Sequence, residues 1–204
     1  MSRIAVIAAA AVIVAGGGVG AWLALSGGDD FAQCREGGAV VGAQIGGPFT
    51  LTSGDGARVT DADVIDRPTL VYFGYTHCPD FCPTDAANMA AVVDLLAGQG
   101  VSVNAAFITI DPARDTPETL GRFTAQMHPD MVGLSGSAED VAAAAKAYRV
   151  YYAKAGDDPE FYLMDHSTFT YLMAPKVGFL DFFRHGEAPE AVAARVACYA
   201  RALG

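Results

Sequence analysis

Basic side chains are scarce in this chain. Its 204 residues include 13 lysines and arginines against 23 aspartates and glutamates, so the formal net charge is −10 at pH 7. A field of this sign disfavours binding to nucleic acid and to anionic membrane surfaces, and it suits a cationic ligand or a basic partner surface. The sequence also lacks internal repeats and low-complexity tracts. These absences favour a single domain with one core after the N-terminal region.

Cysteine is equally sparse, and the four cysteines include no pair separated by only two residues. The spacing with two intervening residues is typical of dithiol redox proteins, so an ordinary member of that class is disfavoured. Cys78 and Cys82 instead have three residues between them. Cys34 and Cys198 remain, near opposite ends of the domain, and in an oxidising compartment we predict that they form a structural disulfide. The alternative is that both stay free thiols.

The N-terminal segment contains a long uncharged run from Ile4 to Leu25, preceded by Arg3. Such a run can cross a bilayer core of roughly 30 Å, whereas the apolar core of a secretory signal is only about 7–15 residues long. We therefore predict an uncleaved, single-pass anchor in the inner (cytoplasmic) membrane, although Ala24–Ser26 leaves cleavage as an alternative. The position of Arg3 predicts that the chain after this segment lies in the periplasm.

These features divide the chain into three parts. We predict an anchor over residues 1–28, a glycine-rich tether over 29–47 and a folded domain over 48–204.

Hydrophobic patterning of the folded domain alternates strands with helices. The continuous apolar runs 69–75 and 101–110 are typical of strands buried on both faces. Helices are predicted after the strand 69–75, from Thr116 as N-cap, from Ser137 as N-cap, and over 189–203, with a hairpin formed by 168–174 and 179–183.

This order predicts an α/β fold with a central mixed sheet flanked by helices. It resembles the thioredoxin fold, in which two cysteines follow a central strand and a cis-proline opens a later hairpin. Here Asp165-His166-Ser167 falls at the place of that proline. A residue capable of binding metal therefore replaces a residue that positions a substrate.

Cys78, Cys82 and His166 form a candidate metal site. We expect both sulfurs to lie on one side of the first helical turn, where the helix dipole favours thiolate. Two thiolates and a neutral imidazole suit Cu(I) in trigonal geometry, or Cu(II) with a further weak ligand. Zinc competes for the same donors, but structural zinc usually takes four protein ligands, and the sequence offers no obvious fourth.

Three segments together resemble the signature segments of the Sco (SenC) family. They are Tyr75-Thr76-His77-Cys78-Pro79-Asp80-Phe81-Cys82-Pro83, Ile110-Asp111-Pro112-Ala113-Arg114-Asp115-Thr116-Pro117 and Asp165-His166-Ser167. The resemblance implies a membrane-anchored, thioredoxin-like copper chaperone that assists assembly of the binuclear copper centre of cytochrome c oxidase. It implies that Cys78, Cys82 and His166 are the copper ligands, and that the cysteine pair is redox-active. The expected partners are the oxidase's copper-centre subunit and another periplasmic copper carrier or thioredoxin-like reductant.

Several neighbouring residues have weaker claims to a role. Asp80 is a candidate for tuning the site, Met164 for a soft donor, and Asp165 for orienting the imidazole, each against an ordinary structural role. We expect His77 to point away from the site. His128 and His185 are predicted to be solvent-exposed, and Asp111 and Asp115 are assigned no chemistry.

Three classes of function stay open. The leading one is the copper metallochaperone, and His166 favours it because a pure reductant does not need a metal ligand there. The second is a thiol–disulfide oxidoreductase that reduces the copper-ligating cysteines of the oxidase. The third, a peroxidase-like or redox-signalling role, depends on fold alone.

Overall fold

The computed structural model describes residues 31–35, 44–158 and 161–204. The chain divides into two compact units, residues 1–33 and 34–204. The predicted anchor over residues 1–28 lies outside the described residues, as does much of the tether. Within the described ranges, no helix is both long enough and apolar enough to cross a membrane.

Nine strands and five α-helices make up the described part of the second unit. The strands are β1 Thr50–Ser53, β2 Arg58–Thr60, β3 Thr69–Gly74, β4 Asn104–Thr109, β5 Met131–Ser135, β6 Tyr152–Ala155, β7 Leu163–His166, β8 Phe169–Ala174 and β9 Gly178–Arg184. The helices are α1 Asp61–Val64, α2 Phe81–Ala97, α3 Pro117–Met127, α4 Ala138–Ala147 and α5 Pro189–Leu203.

The main sheet has seven strands in the order β2-β1-β5-β4-β3-β8-β9. β3 pairs in parallel with β4, and β4 in parallel with β5, while the remaining pairs are antiparallel. This is the mixed sheet with flanking helices that the sequence predicts. Every residue of β3 is buried, as its uninterrupted apolar run requires of a central strand.

The predicted helix starts at Thr116 and Ser137 are confirmed. Thr116 caps α3 by accepting a hydrogen bond from the Thr119 amide at 3.2 Å, and Ser137 caps α4 by accepting one from the Asp140 amide at 3.1 Å. Each such cap contributes about 1 kcal/mol. The inward faces of α2 and α5 consist of buried side chains: Met89, Val92, Val93, Leu96, Val192, Val196 and Tyr199.

The predicted disulfide is present between Cys34 and Cys198, whose Cα atoms lie 5.5 Å apart. Cys34 is buried, and Cys198 lies in α5. The bridge therefore attaches the chain before the main sheet to the closing helix. Cys78 and Cys82 remain free thiols.

Strands β6 and β7 form a separate two-stranded sheet that the hydrophobic pattern does not predict. Their residues alternate between half-buried and exposed positions, so neither strand carries the apolar run of a core strand. In the register, Tyr152 is paired with His166. This hairpin brings His166 to the end of β3 that leads into the cysteine loop.

Candidate metal centre

The two free cysteines lie where β3 leads into α2. The Cys78 amide donates a hydrogen bond to the Tyr75 carbonyl at 3.3 Å, which closes a tight turn after the strand. Because α2 begins at Phe81, Cys82 lies in its first turn and Cys78 lies before it. The expectation that both cysteines occupy the first helical turn is therefore wrong for Cys78. The sulfurs still meet, since the Cys82 amide donates to the Cys78 Sγ at 3.3 Å.

His166, the last residue of β7, completes the group. Its Nε2 lies 3.4 Å from the Cys82 Sγ, and the Nδ1 lies 2.9 Å from the Ser167 carbonyl oxygen. Because a carbonyl only accepts, Nδ1 carries the proton in the neutral ring and Nε2 presents a lone pair to the sulfurs. The group that orients the imidazole is therefore a backbone carbonyl and not the Asp165 carboxylate.

Two tyrosines form an aromatic wall beside the imidazole. The rings of Tyr72 and Tyr75 meet the His166 ring edge to face, with centroids 6.2 and 5.9 Å away. The Tyr75 hydroxyl also accepts a hydrogen bond from the Met164 amide at 3.1 Å. The hydrophobic pattern predicts both tyrosines as strand residues and indicates no further role for them. Their position at the end of the strand that leads to the cysteines is the feature of the sequence that indicates a place beside the site.

The two thiols have opposite electrostatic environments. Hydrogen bonds from the Cys82 thiol and from the backbone amides of Cys82 and Asp80, with the nearby His166, lower the pKa of Cys78 to about 5. The adjacent Cys78 sulfur and deep burial raise the pKa of Cys82. In the metal-free protein, Cys78 is therefore the thiolate at neutral pH and Cys82 keeps its proton. A bound cation favours thiolate at both positions.

A cavity of about 520 Å³ opens onto the site. Cys78 and His166 line it, whereas Cys82 is fully buried behind them. Its lining also includes three large apolar side chains that are exposed to solvent: Phe81, Tyr151 and Leu163. The site is thus open to a partner on one side and enclosed by the core on the other.

The remaining histidines do not join this group. His77 is half exposed, and its Nδ1 lies 3.7 Å from the Asp115 carboxylate. His185 is exposed as predicted, with its Nδ1 2.7 Å from Asp85. The prediction that His128 is solvent-exposed is wrong. Only 11% of its side chain is exposed, because it packs beside Asp94 with an Nε2–Oδ1 distance of 3.3 Å.

Asp115 supports the cysteine loop, a role that the sequence pattern does not predict. Its buried carboxylate accepts hydrogen bonds from the Thr76 amide at 3.0 Å, the Thr76 hydroxyl and the Thr109 hydroxyl at 2.8 Å. A buried, fully hydrogen-bonded carboxylate of this kind fixes the backbone of its partners. Thr76 lies two residues before Cys78, so Asp115 holds the start of the loop. The sequence feature that indicates this role is the set of charged residues directly after the buried strand: Asp111, Arg114 and Asp115.

The donor set fits a soft metal ion. One ligand atom each from Cys78, Cys82 and His166 lies within 4.8 Å of the other two, and no further histidine, cysteine or acidic residue of the described chain joins them. Two sulfurs and one imidazole nitrogen match the ligand preference of Cu(I). The group lacks the fourth protein ligand of a structural zinc site.

The chain is similar in sequence to proteins of one known family. A family model described as SCO1/SenC matches residues 38–201. Protein SenC of Rhodobacter capsulatus is 52% identical over 204 residues, which cover 99% of this chain and 92% of SenC. The mitochondrial SCO1 homolog 1 of Arabidopsis thaliana is 42% identical over 150 residues, which cover 73% of this chain but only 45% of that protein. The matched segment therefore spans less than half the length of that relative.

A solved structure of Bradyrhizobium japonicum ScoI with copper bound superimposes with a TM-score of 0.70 at 41% identity. The match covers 76% of this chain and 99% of that one. The thioredoxin-like arrangement of strands and helices is thus shared with a solved, copper-bound relative.

Proposed function

Because this chain belongs to the SCO1/SenC family, we propose that it is a copper metallochaperone that binds copper through Cys78, Cys82 and His166. Its cargo is destined for the binuclear copper centre of cytochrome c oxidase, as the family resemblance implies. The observation that carries the proposal is the convergence of two cysteine sulfurs and an imidazole nitrogen within 4.8 Å. The copper in the solved structure of Bradyrhizobium japonicum ScoI supports the choice of metal.

The geometry suits transfer of a metal better than permanent storage. Three protein ligands leave room for a donor from another protein, and the cavity places Cys78 and His166 next to solvent. The apolar side chains around the cavity provide a surface that a partner can cover. The partner we propose is the copper-centre subunit of the oxidase, with a second periplasmic copper carrier or a thioredoxin-like reductant acting upstream.

Metal analysis tests the ligand assignment. The reduced protein should bind one copper ion per chain and prefer copper to zinc, because the only three-donor group of the described residues is soft and three-coordinate. His166→Ala should lose tight binding and the imidazole signature in the Cu(II) spectrum. His128→Ala is the matched control and should bind as the wild type does. A His166→Ala protein that keeps both properties would refute the assignment.

A thiol–disulfide oxidoreductase is the second candidate function. The lowered pKa of Cys78 favours it, since a thiolate attacks disulfides and Cys82 lies beside it to resolve the mixed disulfide. The variant His166→Ala distinguishes disulfide reduction from copper delivery. If reduction of the oxidase's cysteines is the main activity, His166→Ala should retain most of it in a thiol-exchange assay. If copper delivery is the main activity, the same variant should fail to load the oxidase subunit.

We further propose that residues 1–28 form a retained membrane anchor that places the domain in the periplasm. The uncharged run from Ile4 to Leu25 and the preceding Arg3 support this topology. The protein should fractionate with membranes and be digested by protease added to spheroplasts. A soluble periplasmic product whose N-terminus lies near Gly27 would show instead that the segment is a cleaved signal.

A further inference from the structure

Among the described residues, the hairpin that carries His166 has no strand partner in the main sheet. β6 pairs with β7, while the cysteine loop continues directly from the central strand β3. Hydrogen bonds of the main sheet therefore do not hold β7 directly and reach His166 only through β8, which begins three residues later and pairs with β3. Side-chain contacts further attach the hairpin to the rest of the domain.

Tyr162, the residue directly before β7, makes several of these contacts. Its hydroxyl donates to the Asp111 carboxylate at 2.9 Å, and its carbonyl oxygen accepts from the Arg114 Nη1 at 3.0 Å. The Arg114 guanidinium carbon also lies 3.5 Å from the centroid of the Tyr162 ring, within cation–π range. Asp111 and Arg114 form an ion pair with each other and are largely buried. One loop thus holds Tyr162 by its hydroxyl, its ring and its backbone.

The same contacts lead directly to the imidazole. The Arg114 guanidinium carbon lies 5.8 Å from the centroid of the Tyr75 ring, and the Tyr75 ring packs against His166. The Tyr75 hydroxyl holds the Met164 amide, two residues before His166. Arg114 therefore contacts both residues that fix the strand bearing the ligand.

We propose that Arg114, with Asp111 and Tyr162, is a latch that holds His166 at ligand distance from the cysteine sulfurs. The inference extends the proposed function, because it assigns positioning residues to the copper site. The loop from Asp111 to Asp115 then contacts both halves of the site. Asp115 holds Thr76 of the cysteine loop, and the latch holds the histidine hairpin.

Copper affinity tests the latch. Arg114→Gln in the full-length protein should weaken Cu(I) binding by about 10- to 100-fold, the usual effect of removing a residue that orients a metal ligand. Tyr162→Phe, which removes one hydroxyl and should fold normally, should cause a smaller loss in the same direction. Arg122→Gln is the matched control, because Arg122 is exposed on α3 and its removal changes the charge equally.

A double-mutant cycle separates positioning from general destabilisation. If the latch acts through His166, then Arg114→Gln should change residual Cu(I) binding by less than about twofold in a His166→Ala background. The reduction potential of the Cys78–Cys82 pair should also stay unchanged, since Asp115 still holds the cysteine loop. An equal loss of affinity in both backgrounds would overturn the proposal.

Amide exchange tests the latch without metal. In the metal-free protein, the Met164 amide should exchange faster in Arg114→Gln than in Arg122→Gln, because its acceptor Tyr75 loses a packed neighbour. Unchanged protection of Met164 would refute the latch. A wild-type protein that binds no copper would refute the proposed function instead, and the exchange measurement would still decide the latch.

Discussion

Removing the Cys34–Cys198 bridge should destabilise the protein more than any single surface change. The bridge joins residues with a sequence separation of 164. The chain-entropy relation for a loop of that length gives about 5 kcal/mol at room temperature, from restriction of the unfolded chain. Domains of this kind are stabilised by about 5–15 kcal/mol in total, so the loss is a large share. We expect the double Cys→Ala variant to lose about 3–5 kcal/mol, since residual structure in the unfolded chain reduces the entropic effect.

Equilibrium unfolding in urea measures this loss. The experiment should use a Cys78→Ser, Cys82→Ser background, so that the long bridge is the only disulfide that can form. The parent, the Cys34→Ala, Cys198→Ala variant and the parent treated with reductant are then compared under identical conditions. The reduced parent and the double variant should unfold at the same urea concentration, because both lack the same loop closure.

A single Cys34→Ala variant provides the control. It should lose as much stability as the double variant, since a bridge needs both sulfurs. A loss below about 1 kcal/mol in the double variant would refute the entropic reasoning, because that value is well under the range for a loop of this length. It would mean that the unfolded chain is already compact enough for the bridge to add little.

Three further predictions concern the site and its support. In the metal-free protein, the rate of Cys78 alkylation should be nearly independent of pH above about 6, because only the thiolate reacts. Below the Cys78 pKa of about 5, the rate should fall about tenfold per pH unit. A rate that reaches its half-maximal value near pH 9 would contradict the lowered pKa. Gly74→Ala should cost about 1–3 kcal/mol by overpacking and also weaken metal binding, since the new Cβ would fall 2.7 Å from a core phenylalanine and 3.0 Å from the sulfur of the second cysteine. The control Gly98→Ala should be tolerated, and equal effects of the two would count against the packing argument. Asp115→Asn should lower the free energy of unfolding by about 2–3 kcal/mol, because the side-chain NH2 group of the new asparagine would face hydrogen-bond donors in the core. Asp55→Asn, at an exposed position, should lower it much less. Similar losses in the two variants would show that burial is not the cause.

The sequence predicts the centre of this fold better than its margins. The run at Thr69–Gly74 and the caps at Thr116 and Ser137 are local signals, and the structure confirms them. The short strands β1 and β2 alternate polar and apolar residues over three or four positions. The β6–β7 hairpin has no core-facing run at all, and its attachment to the domain involves Asp111 and Arg114, which are distant in sequence.

The same distinction applies to the candidate site. Cys78, Cys82 and His166 were identifiable because their donor atoms are chemically distinctive. The carboxylate of Asp115 was not, because its role depends on a hydrogen bond to a residue 39 positions away. The error at His128 has a similar origin, since its neighbour Asp94 lies 34 positions away in another helix.

The unequal access to the two cysteines imposes an order on ligand exchange. Cys78 and His166 face the cavity, whereas the sulfur of Cys82 has no exposed surface. In the copper site that we propose, a donor atom from a partner could at first replace only Cys78 or His166, so the bond between copper and Cys82 should be the last to break. The same access rule applies to an oxidised pair, in which a partner's thiolate can reach only the Cys78 sulfur and must expel Cys82. In both cases the burial of Cys82 would determine the order in which bonds are exchanged, whatever the partner is.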